Sequence, residues 1–245
     1  MLSTPPSEGK ASLEGSEAHH LRTVLRAEPG CAVELIDGSG RVWRAIVSEV
    51  SDQEVKLSSV DSVELLETSL NRSRARLGLI QSLCKADRLE WILEKCTELG
   101  VDDIYLLNAA RSVIRIPEER LSTKMDRWQK IILSSVKQSQ RSTVPVLRPP
   151  SSLSSLYQHL PPCLKLLLSE NEHDFSLKSA IRPATWHHAV FCVGPEGGWT
   201  AQEHLELRQS GFQPVTLGPQ ILRTETAAVV VAAILKYEHD NLPDK

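Results

Sequence analysis

The feature that most constrains the fold of this sequence is a regular alternation of short apolar runs and amphipathic stretches after residue 75. Five apolar runs have the length and composition of buried strands, and they occupy residues 75–80, 103–107, 164–169, 189–193 and 214–217. Amphipathic helices are predicted between and after them, at residues 87–100, 117–139, 200–210 and 224–238. Because buried strands that alternate with helices form mostly parallel sheets covered on both faces, the sequence predicts an α/β domain.

The residues before position 70 predict a different kind of domain. Two strand candidates, residues 32–36 and 42–47, are joined by a segment that begins with Asp37 and Gly38, a common hairpin signal. A third candidate, residues 54–60, alternates apolar and polar side chains. The sequence therefore predicts a small antiparallel β domain that ends near residue 70.

The predicted domain boundaries follow from this change in the pattern of predicted strands and helices. The first domain spans residues 1–70, and residues 1–18 form a loose arm because they are rich in Ser, Pro, Gly and Glu. The second domain spans residues 71–245. Within it, the Pro- and Ser-rich residues 149–162 are predicted to be a surface connection.

The cysteines and the apolar runs exclude several classes of protein. Five cysteines are present and none forms a C-x-x-C pair, which predicts reduced thiols in a cytoplasmic protein and no zinc site or disulfide framework. The longest apolar run, residues 227–235, has nine residues, whereas a helix that crosses a bilayer needs about 20. The first residues lack the pattern of a signal peptide. We therefore expect a cytoplasmic protein with no membrane segment and no metal.

The uneven distribution of charge leaves room for a nucleic-acid partner. The net charge is −3, yet residues 111–148 carry nine bases and three acids, and a phosphate backbone responds to local charge. Arg and Lys contact phosphates, and amide side chains read base edges. The candidate RNA contacts are Arg22 and Arg26, which lie at i and i+4 on one face of a predicted helix, Lys85 and Arg88, and Lys137, Gln138 and Arg141. Each of these groups, taken alone, is more often a solvated helix face.

Residues 194–198 form the first of two unusual corners. Three glycines, a proline and Glu196 lie between a predicted buried strand and Thr200, and Glu203 follows Thr200 at the spacing of a capping box. Ligands of open α/β sheets bind at such strand-to-helix corners, and glycine lets the backbone approach a ligand closely. A tight structural turn is the alternative interpretation.

The second corner spans residues 217–226. Gly218 follows the last predicted strand, Thr224 is a plausible start for the last helix, and Ile221 and Leu222 stand beside Arg223. Apolar residues with polar neighbours are typical of a small-molecule pocket. In the alternative interpretation, the two apolar side chains fill the core and Arg223 pairs with Glu225 or Glu196.

The chain carries no phosphate-binding loop of the known kinds. It has neither a G-x-x-x-x-G-K-[ST] nor a G-x-G-x-x-G motif. An enzyme that uses ATP or a nicotinamide cofactor is therefore poorly supported. Two glycine-proline corners that close consecutive strands indicate one shared ligand of another kind.

Four quoted stretches carry a resemblance to a known family. The segments VGPEGGWTAQE, LGPQILRTETA, KADRLEWILEKCTELGV and KQSQR resemble the RsmE family, SPOUT-class methyltransferases that act on 16S ribosomal RNA. The resemblance covers residues 19 to about 238. It implies a PUA-like β-barrel domain that binds RNA, followed by a SPOUT methyltransferase domain with a trefoil knot. It also implies S-adenosylmethionine as cofactor, a homodimer, and methylation of N3 of one uridine in the small ribosomal subunit.

The resemblance also implies roles for individual residues. The cofactor would rest on three segments: Leu167, Leu168 and Ser169; Gly194, Pro195, Glu196, Gly197 and Gly198; and Leu217, Gly218, Ile221, Leu222, Arg223 and Thr226. Arg223, Glu196 and Glu225 are the candidate catalytic residues. Arg111 joins the seven candidate RNA contacts named above. Family members usually begin with an Arg-Phe-Phe type strand, whereas this chain begins with MLSTPPSEGK.

Two other functions stay open at this point. One is a SPOUT methyltransferase that acts on transfer RNA. The other is a non-catalytic RNA-binding factor for ribosome assembly, which would use the basic surfaces and need no apolar pocket.

Overall fold

The computed structural model describes residues 1–2, 6–63, 75–157, 160–182 and 186–240. These residues divide into two compact units. The N-terminal unit contains the described residues up to position 63 together with residues 140–144, and the C-terminal unit contains the others. The boundary predicted between residues 70 and 71 lies outside the described residues.

The N-terminal unit is built on a four-stranded antiparallel sheet. Its strands are β1 (Ala11–Glu14), β2 (Ala32–Ile36), β3 (Val42–Val50) and β4 (Glu54–Val63), and their order in the sheet is β1-β4-β3-β2. The register of β3 against β4 shifts twice, and such bulges bend a strand and increase its twist. Alternate side chains such as Leu35, Trp43 and Leu57 are buried on one face and form the core. The antiparallel β domain is confirmed.

The loose arm predicted for residues 1–18 is wrong where β1 lies. Leu13 is 4% exposed and packs in the core of the sheet, and Ala11–Glu14 pairs with residues 54–57 of β4. Leu2 is also buried and donates its N–H to the carbonyl oxygen of Ile36 at 2.8 Å. Composition predicted a loose arm because it averages over residues and misses single buried leucines.

The predicted helix around Arg22 and Arg26 is shorter and wider than an ideal α-helix. Helix α1 spans Gly15–His19 and continues as a π-helix over His20–Val24. Arg26 lies beyond the helix with φ of +50°, so the i,i+4 arrangement predicted for the two arginines is wrong. Only Arg22 lies on a helical turn, and it pairs with Asp52 at 2.8 Å.

Residues 140–144 join the N-terminal unit although they follow the longest helix of the other one. Thr143 bridges to Gly38 and Ser39, and the N–H of Gly40 donates to the carbonyl oxygen of Ser142 at 3.0 Å. The sequence predicted residues 71–245 as one domain because nothing local marks this return of the chain.

The C-terminal unit contains one parallel sheet of six strands. These strands are β5 (Arg76–Ser82), β6 (Asp103–Leu107), β7 (Val146–Ser151), β8 (Leu164–Leu168), β9 (His188–Val193) and β10 (Gln213–Val215). Their order is β10-β8-β9-β5-β6-β7, and each neighbouring pair is parallel. The central strands are buried on both faces, as a parallel sheet requires. The predicted α/β class is confirmed.

The helices of this unit follow the sequence pattern closely. They are α2 (Ala86–Glu98), α3 (Glu118–Gln138), α4 (Leu153–Tyr157), α5 (Leu177–Ile181), α6 (Ala201–Gln209) and α7 (Thr224–Asp240). The four predicted helices correspond to α2, α3, α6 and α7. No helix among the described residues is both long enough and apolar enough to cross a membrane.

The surface connection predicted for residues 149–162 is wrong over much of its length. Pro149 and Pro150 belong to β7, and α4 follows directly. Since β6 is the one described strand that pairs with β7, β7 lies at the edge of the sheet, and edge strands tolerate prolines because the missing N–H removes no ladder hydrogen bond.

The strand order places several chain segments at one edge of the sheet. Since all six strands are parallel, the segments that follow β5, β8, β9 and β10 leave from the same carboxyl edge. The chain order reverses in this region, because β5 lies beside β9 rather than beside β8. Ligands of open α/β sheets bind at such a reversal. The trefoil knot implied by the resemblance stays a prediction.

Candidate active site

A cavity of about 460 Å³ lies at the carboxyl edge of the parallel sheet. Its walls come from the segments after β8, β9 and β10, from the start of α7, and from Arg88 near the start of α2. The volume lies in the range that holds a small organic ligand. Both glycine-proline corners predicted from the sequence line this single cavity.

The first corner is fixed by Trp199. Its indole Nε1 donates to the carbonyl oxygen of Leu168 at 3.0 Å, which ties the corner to the end of β8. The indole packs against Gly194, where an added Cβ would come within 3.0 Å of the ring. A side chain at position 194 would therefore require the indole to shift by a few tenths of an ångström.

Gly198 is constrained in two ways. Its φ is +68°, a conformation that side-chain-bearing residues rarely adopt. An added Cβ would also come within 2.5 Å of Oε1 of Glu170, which lines the same cavity. A larger residue at position 198 would therefore strain the backbone and displace a cavity side chain.

The predicted capping box at the start of α6 is confirmed. The hydroxyl oxygen of Thr200 accepts from the N–H of Glu203 at 3.2 Å, and Glu203 accepts from the N–H of Thr200 at 2.9 Å. The other carboxylate oxygen of Glu203 accepts from the N–H of Ala110 at 2.6 Å. Burial acts to raise the pKa of Glu203, but these hydrogen bonds, with the charge of Arg111, hold it below its usual value.

The second corner presents an apolar wall to the cavity. Ile221 is 80% exposed, so it does not fill the core, and that alternative from the sequence is wrong for this residue. Leu222 is half-buried beside it. Gly218 has φ of +121° and donates its N–H to the hydroxyl of Thr216 at 3.2 Å, which shapes the turn before them. An exposed isoleucine on a cavity wall favours an apolar ligand group.

A chain of hydrogen bonds joins the two corners. Nε2 of Gln81, a buried residue in β5, donates to the hydroxyl oxygen of Thr224 at 3.1 Å. The same hydroxyl donates to the carbonyl oxygen of Gly194 at 2.9 Å. Thr224 therefore fixes the start of α7 against the first corner.

Arg88 is the cation that faces the two candidate catalytic glutamates. Its Nη1 lies 3.0 Å from Oε1 of Glu196, and its Nε lies 3.7 Å from Oε1 of Glu225. The ion pair predicted as an alternative between Arg223 and either glutamate is therefore replaced by one with Arg88. The side chain of Arg223 is exposed on the cavity wall.

The buried thiol of Cys84 lies near these charges. Burial raises its pKa to about 12, and the negative charges of Glu196 and Glu225 act in the same direction. Cys84 is therefore a neutral thiol at physiological pH, not a nucleophile or a base.

The family models and the relatives that match this chain agree with one another. A family model described as an RNA methyltransferase domain matches residues 71–236, and one described as an RNA methyltransferase PUA domain matches residues 13–58. The ribosomal RNA small subunit methyltransferase E of Synechocystis is 32% identical over 92% of this chain and 72% of its own length. The Bacillus subtilis protein of that name is 30% identical over 94% of this chain and 91% of its own. The chain belongs to the RsmE family.

Solved structures agree with this membership. The ribosomal RNA small subunit methyltransferase E of Neisseria gonorrhoeae, bound to S-adenosylmethionine, is 32% identical, with a TM-score of 0.85 over 97% of this chain and 95% of that one. A methyltransferase of Legionella pneumophila in complex with the same cofactor is 28% identical, with a TM-score of 0.82 over 97% and 96%. The predicted PUA-like and methyltransferase fold of an RsmE-family chain is confirmed.

Most residues that the RsmE resemblance assigned to the cofactor lie together. Eleven of the fourteen line the cavity, and they are Leu168, Ser169, Gly194, Pro195, Glu196, Gly198, Leu217, Gly218, Ile221, Leu222 and Arg223. The remaining three, Leu167, Gly197 and Thr226, are neighbours of lining residues in the chain. Gly197 packs against Arg111, where an added Cβ would lie 3.1 Å from the Cβ of that arginine.

Sequence reasoning missed several residues of the cavity. Glu170 and His173, in the loop after β8, line it, and neither belongs to the segments predicted to hold the cofactor. Trp199 and Thr224 were part of quoted motifs, but their contacts join residues about 30 positions apart. The sequence signal that could have identified Glu170 and His173 is the polar loop after β8, because β8 ends at the same sheet edge as the two corners.

The candidate RNA contacts of this RsmE-family chain belong to several elements of the two units. Arg22 and Arg26 lie in the N-terminal unit and Lys85 is exposed before α2. Lys137 and Gln138 end α3, whereas Arg141 is 8% exposed and donates to Thr143 at 3.3 Å. Nη1 of Arg111 donates to the carbonyl oxygen of Gly197 at 3.1 Å. Arg111 and Arg88 thus both bind residues of the first corner.

The described part of the chain contains no group of three or more His, Cys, Asp or Glu side chains that could hold a metal ion.

Proposed function

We propose that this protein transfers a methyl group from S-adenosylmethionine to N3 of one uridine in the 16S RNA of the small ribosomal subunit. The observation that carries the proposal is the single cavity formed by the two glycine-proline corners, in a chain whose relatives of known structure hold this cofactor. The small ribosomal subunit is inferred from the names of the relatives.

The residues of the cavity fit the proposed cofactor. The exposed face of Ile221 with Leu222 offers an apolar surface for a planar base, and glycines at 194 and 198 leave the backbone open to polar groups. We assign to the cofactor the fourteen residues predicted from the sequence, of which eleven line the cavity. When bound, the cofactor supplies an electrophilic methyl group on a sulfonium.

The protein's own task is then alignment and charge stabilisation. Holding N3 in line with the methyl group can contribute about 7 to 11 kcal/mol to the lowering of the barrier. The uracil must leave any base pair or stack, because its N3 edge is otherwise occupied. Arg223, exposed on the cavity wall, would stabilise negative charge on the uracil oxygens as N3 loses its proton. Glu225 or Glu196 would accept that proton.

The wider assignments rest on the family. We propose that the N-terminal unit binds RNA through Arg22 and Arg26, that the protein acts as a homodimer, and that it works in the cytoplasm. Lys85, Lys137 and Gln138 are proposed as further RNA contacts.

The test is a transfer assay with radiolabelled S-adenosylmethionine. We expect label in 16S RNA when small subunits are the substrate, and mapping of the digested RNA should place it on N3 of a uridine. Label that appears only in transfer RNA would favour a transfer-RNA methyltransferase instead. Absence of heat on titration with millimolar cofactor would favour a non-catalytic assembly factor.

The Arg223→Ala variant tests the proposed chemistry. We expect transfer at saturating cofactor to fall by about 10²- to 10³-fold, the effect typical of one lost oxyanion contact. Calorimetry measures separately any loss of cofactor affinity, because Arg223 also belongs to the residues assigned to the cofactor. Lys178→Ala is a suitable control because Lys178 is an exposed lysine on α5 and does not line the cavity. Near-normal transfer by Arg223→Ala would remove Arg223 from the mechanism.

A further inference from the structure

We propose that Glu170 is a specificity-determining residue of the cavity, and that its carboxylate accepts hydrogen bonds from the ribose hydroxyls of the bound cofactor. The inference deepens the proposed function and rests on its choice of S-adenosylmethionine. It adds to the cofactor site a residue that none of the three predicted segments contains, and it names the part of the ligand that this residue recognises.

Glu170 lies in the turn that follows β8, at the carboxyl edge of the parallel sheet. Its side chain is exposed and lines the cavity. Gly198 of the first corner lies beside it, because a Cβ added to this glycine would be 2.5 Å from Oε1 of Glu170. The missing side chain at position 198 therefore leaves room for the carboxylate against the backbone of the first corner.

Hydrogen bonds within the turn fix the backbone around Glu170. The N–H of Asn171 donates to the hydroxyl oxygen of Ser169 at 3.3 Å, and the N–H of Glu172 donates to the carbonyl oxygen of Ser169 at 3.3 Å. The hydroxyl of Ser169 also lies 3.4 Å from Nε2 of His204 in α6. A site that is fixed before its ligand arrives loses less entropy on binding. The turn thus positions Glu170 without using its carboxylate.

The charge of Glu170 is not neutralised by any described residue. The other carboxylate among the described lining residues, Glu196, is paired with Arg88 at 3.0 Å. Glu170 has no hydrogen bond or ion pair with the described part of the chain. Because a carboxylate only accepts hydrogen bonds, it requires a ligand group that donates them. In S-adenosylmethionine these groups are the ribose hydroxyls, the α-ammonium and the adenine amino group.

The strand order favours the ribose among these donors. Strand β8 lies between β10 and β9, and neighbouring strands are about 5 Å apart. The segment after β10 carries the apolar wall proposed for the base, and the segment after β9 is the first corner. Since the ribose joins the base to the sulfonium arm, a ligand that spans the two corners places its ribose beside the turn after β8. Two neighbouring hydroxyls also match the two oxygens of one carboxylate.

Other open α/β sheets recognise ribose with the same chemistry. In dinucleotide-binding folds, a glycine-rich turn follows one strand, and an acidic side chain farther along the chain accepts a hydrogen bond from a ribose hydroxyl. Here a glycine-rich corner follows β9, and Glu170 follows the neighbouring strand β8. An acid beside a glycine-rich corner is therefore suited to an adenosine ligand, although this chain lacks the dinucleotide motif.

The first experiment measures by calorimetry the binding of S-adenosylmethionine, S-adenosylhomocysteine and methylthioadenosine. All three carry the ribose hydroxyls, whereas methylthioadenosine lacks the α-ammonium and only S-adenosylmethionine carries a sulfonium. For Glu170→Ala we expect a loss of affinity of about 10- to 100-fold for each ligand, the usual worth of hydrogen bonds to a charged group.

Asp174→Ala is the matched control for this experiment. Asp174 is an exposed carboxylate in the same loop, and it does not line the cavity. We expect the control to bind each ligand as the wild type does. Both variants should unfold in urea at the wild-type midpoint, because neither side chain has a described partner whose loss would destabilise the fold.

The second experiment uses an analogue of S-adenosylhomocysteine that lacks both ribose hydroxyls. The wild type should bind this analogue about 10- to 100-fold more weakly than S-adenosylhomocysteine itself. Glu170→Ala should bind the two ligands within about threefold of each other, because the acceptor of the hydroxyls is already absent. Additive losses would show that Glu170 and the hydroxyls do not interact.

The transfer assay separates binding from chemistry. Because the ribose takes no part in the reaction, its contact with Glu170 stabilises the ground state and the transition state equally. We therefore expect Glu170→Ala to raise KM for S-adenosylmethionine and to keep kcat within about threefold of the wild type. A fall of kcat without a change of KM would contradict the ribose contact.

The outcomes distinguish this inference from the proposed function. Wild-type affinities for Glu170→Ala would overturn the inference. A loss confined to the two ligands with an α-ammonium would assign Glu170 to that group, and a loss confined to S-adenosylmethionine would assign it to the sulfonium; both results would overturn the ribose contact. Binding of the cofactor by a wild-type protein that methylates no RNA would overturn the proposed function and leave the ribose contact standing.

Discussion

At the scale of single residues, Gly198 shows how the site depends on the absence of a side chain. We predict that Gly198→Ala loses about 1 to 2 kcal/mol of stability through its positive φ and also binds S-adenosylmethionine more weakly, because Glu170 must move. Gly211→Ala is the matched control, since Gly211 has φ of +87° but open space around an added Cβ, the nearest atom being Lys165 Cδ at 3.9 Å. Urea unfolding and calorimetry measure the two effects. Equal cofactor affinities for both variants would contradict the prediction.

Two buried hydroxyl groups at the same sheet edge should respond in opposite ways to removal. Thr224→Val breaks the contacts to Gln81 and Gly194, so we predict a loss of about 1 to 3 kcal/mol in the free energy of unfolding and weaker cofactor binding. Ser82→Ala removes a hydroxyl that has no hydrogen-bond partner among the described residues. We expect it to be neutral or slightly stabilising. A loss as large as that of Thr224→Val would show that Ser82 has a partner.

At the scale of elements, the start of α6 links stability to pH through Glu203. Since the pKa of Glu203 is held below its usual value in the folded protein, its stabilising effect is complete above the unfolded value, about 4.3. The effect is lost as the pH falls through the lower folded value. We predict that Glu203→Gln is less stable than the wild type at pH 7 and that the difference shrinks on acidification. Urea unfolding at several pH values measures it, and a difference that is constant with pH would contradict the assignment.

Local sequence patterns predicted the bounds of several helices and strands well. Strand β6 and helices α2, α3 and α6 begin and end within one or two residues of prediction, because each carries its own periodicity and end signals. Strands β1 and β7 were missed because they contain few apolar residues or two prolines. Both are edge strands, and their pairing with β4 and β6 supplies what their sequences lack.

At the scale of the whole molecule, binding of RNA and binding of cofactor should be separable. Arg26 is exposed in the N-terminal unit, so we predict that Arg26→Gln weakens binding to small subunits. The slope of log affinity against log salt concentration should become shallower by about one unit, because one phosphate contact is lost. Its affinity for S-adenosylmethionine should stay unchanged. Arg44→Gln is the control, because Arg44 lies in the same unit and pairs with Glu34 at 3.3 Å. Equal effects of both variants on RNA binding would remove Arg26 as a specific contact.

The sequence predicted the architecture and the cavity more fully than it predicted the charges within the cavity. Both corners were visible because glycine, proline and a capping box are local signals. The pairing of Arg88 with Glu196 joins residues 108 positions apart, and no local pattern marks it. The loop with His173 was missed for the same reason, since only the strand order brings the end of β8 next to β9.

The cavity is assembled from segments that begin at Arg88 and end at Ala227, close to the end of the described chain. Leu217, Ile221 and Ala227 follow the other segments of the cavity in the chain, so they leave the ribosome after those segments. A nascent chain that has folded only its earlier strands therefore lacks one wall of the cavity. Capture of the small ligand must therefore wait until these later residues have been synthesised.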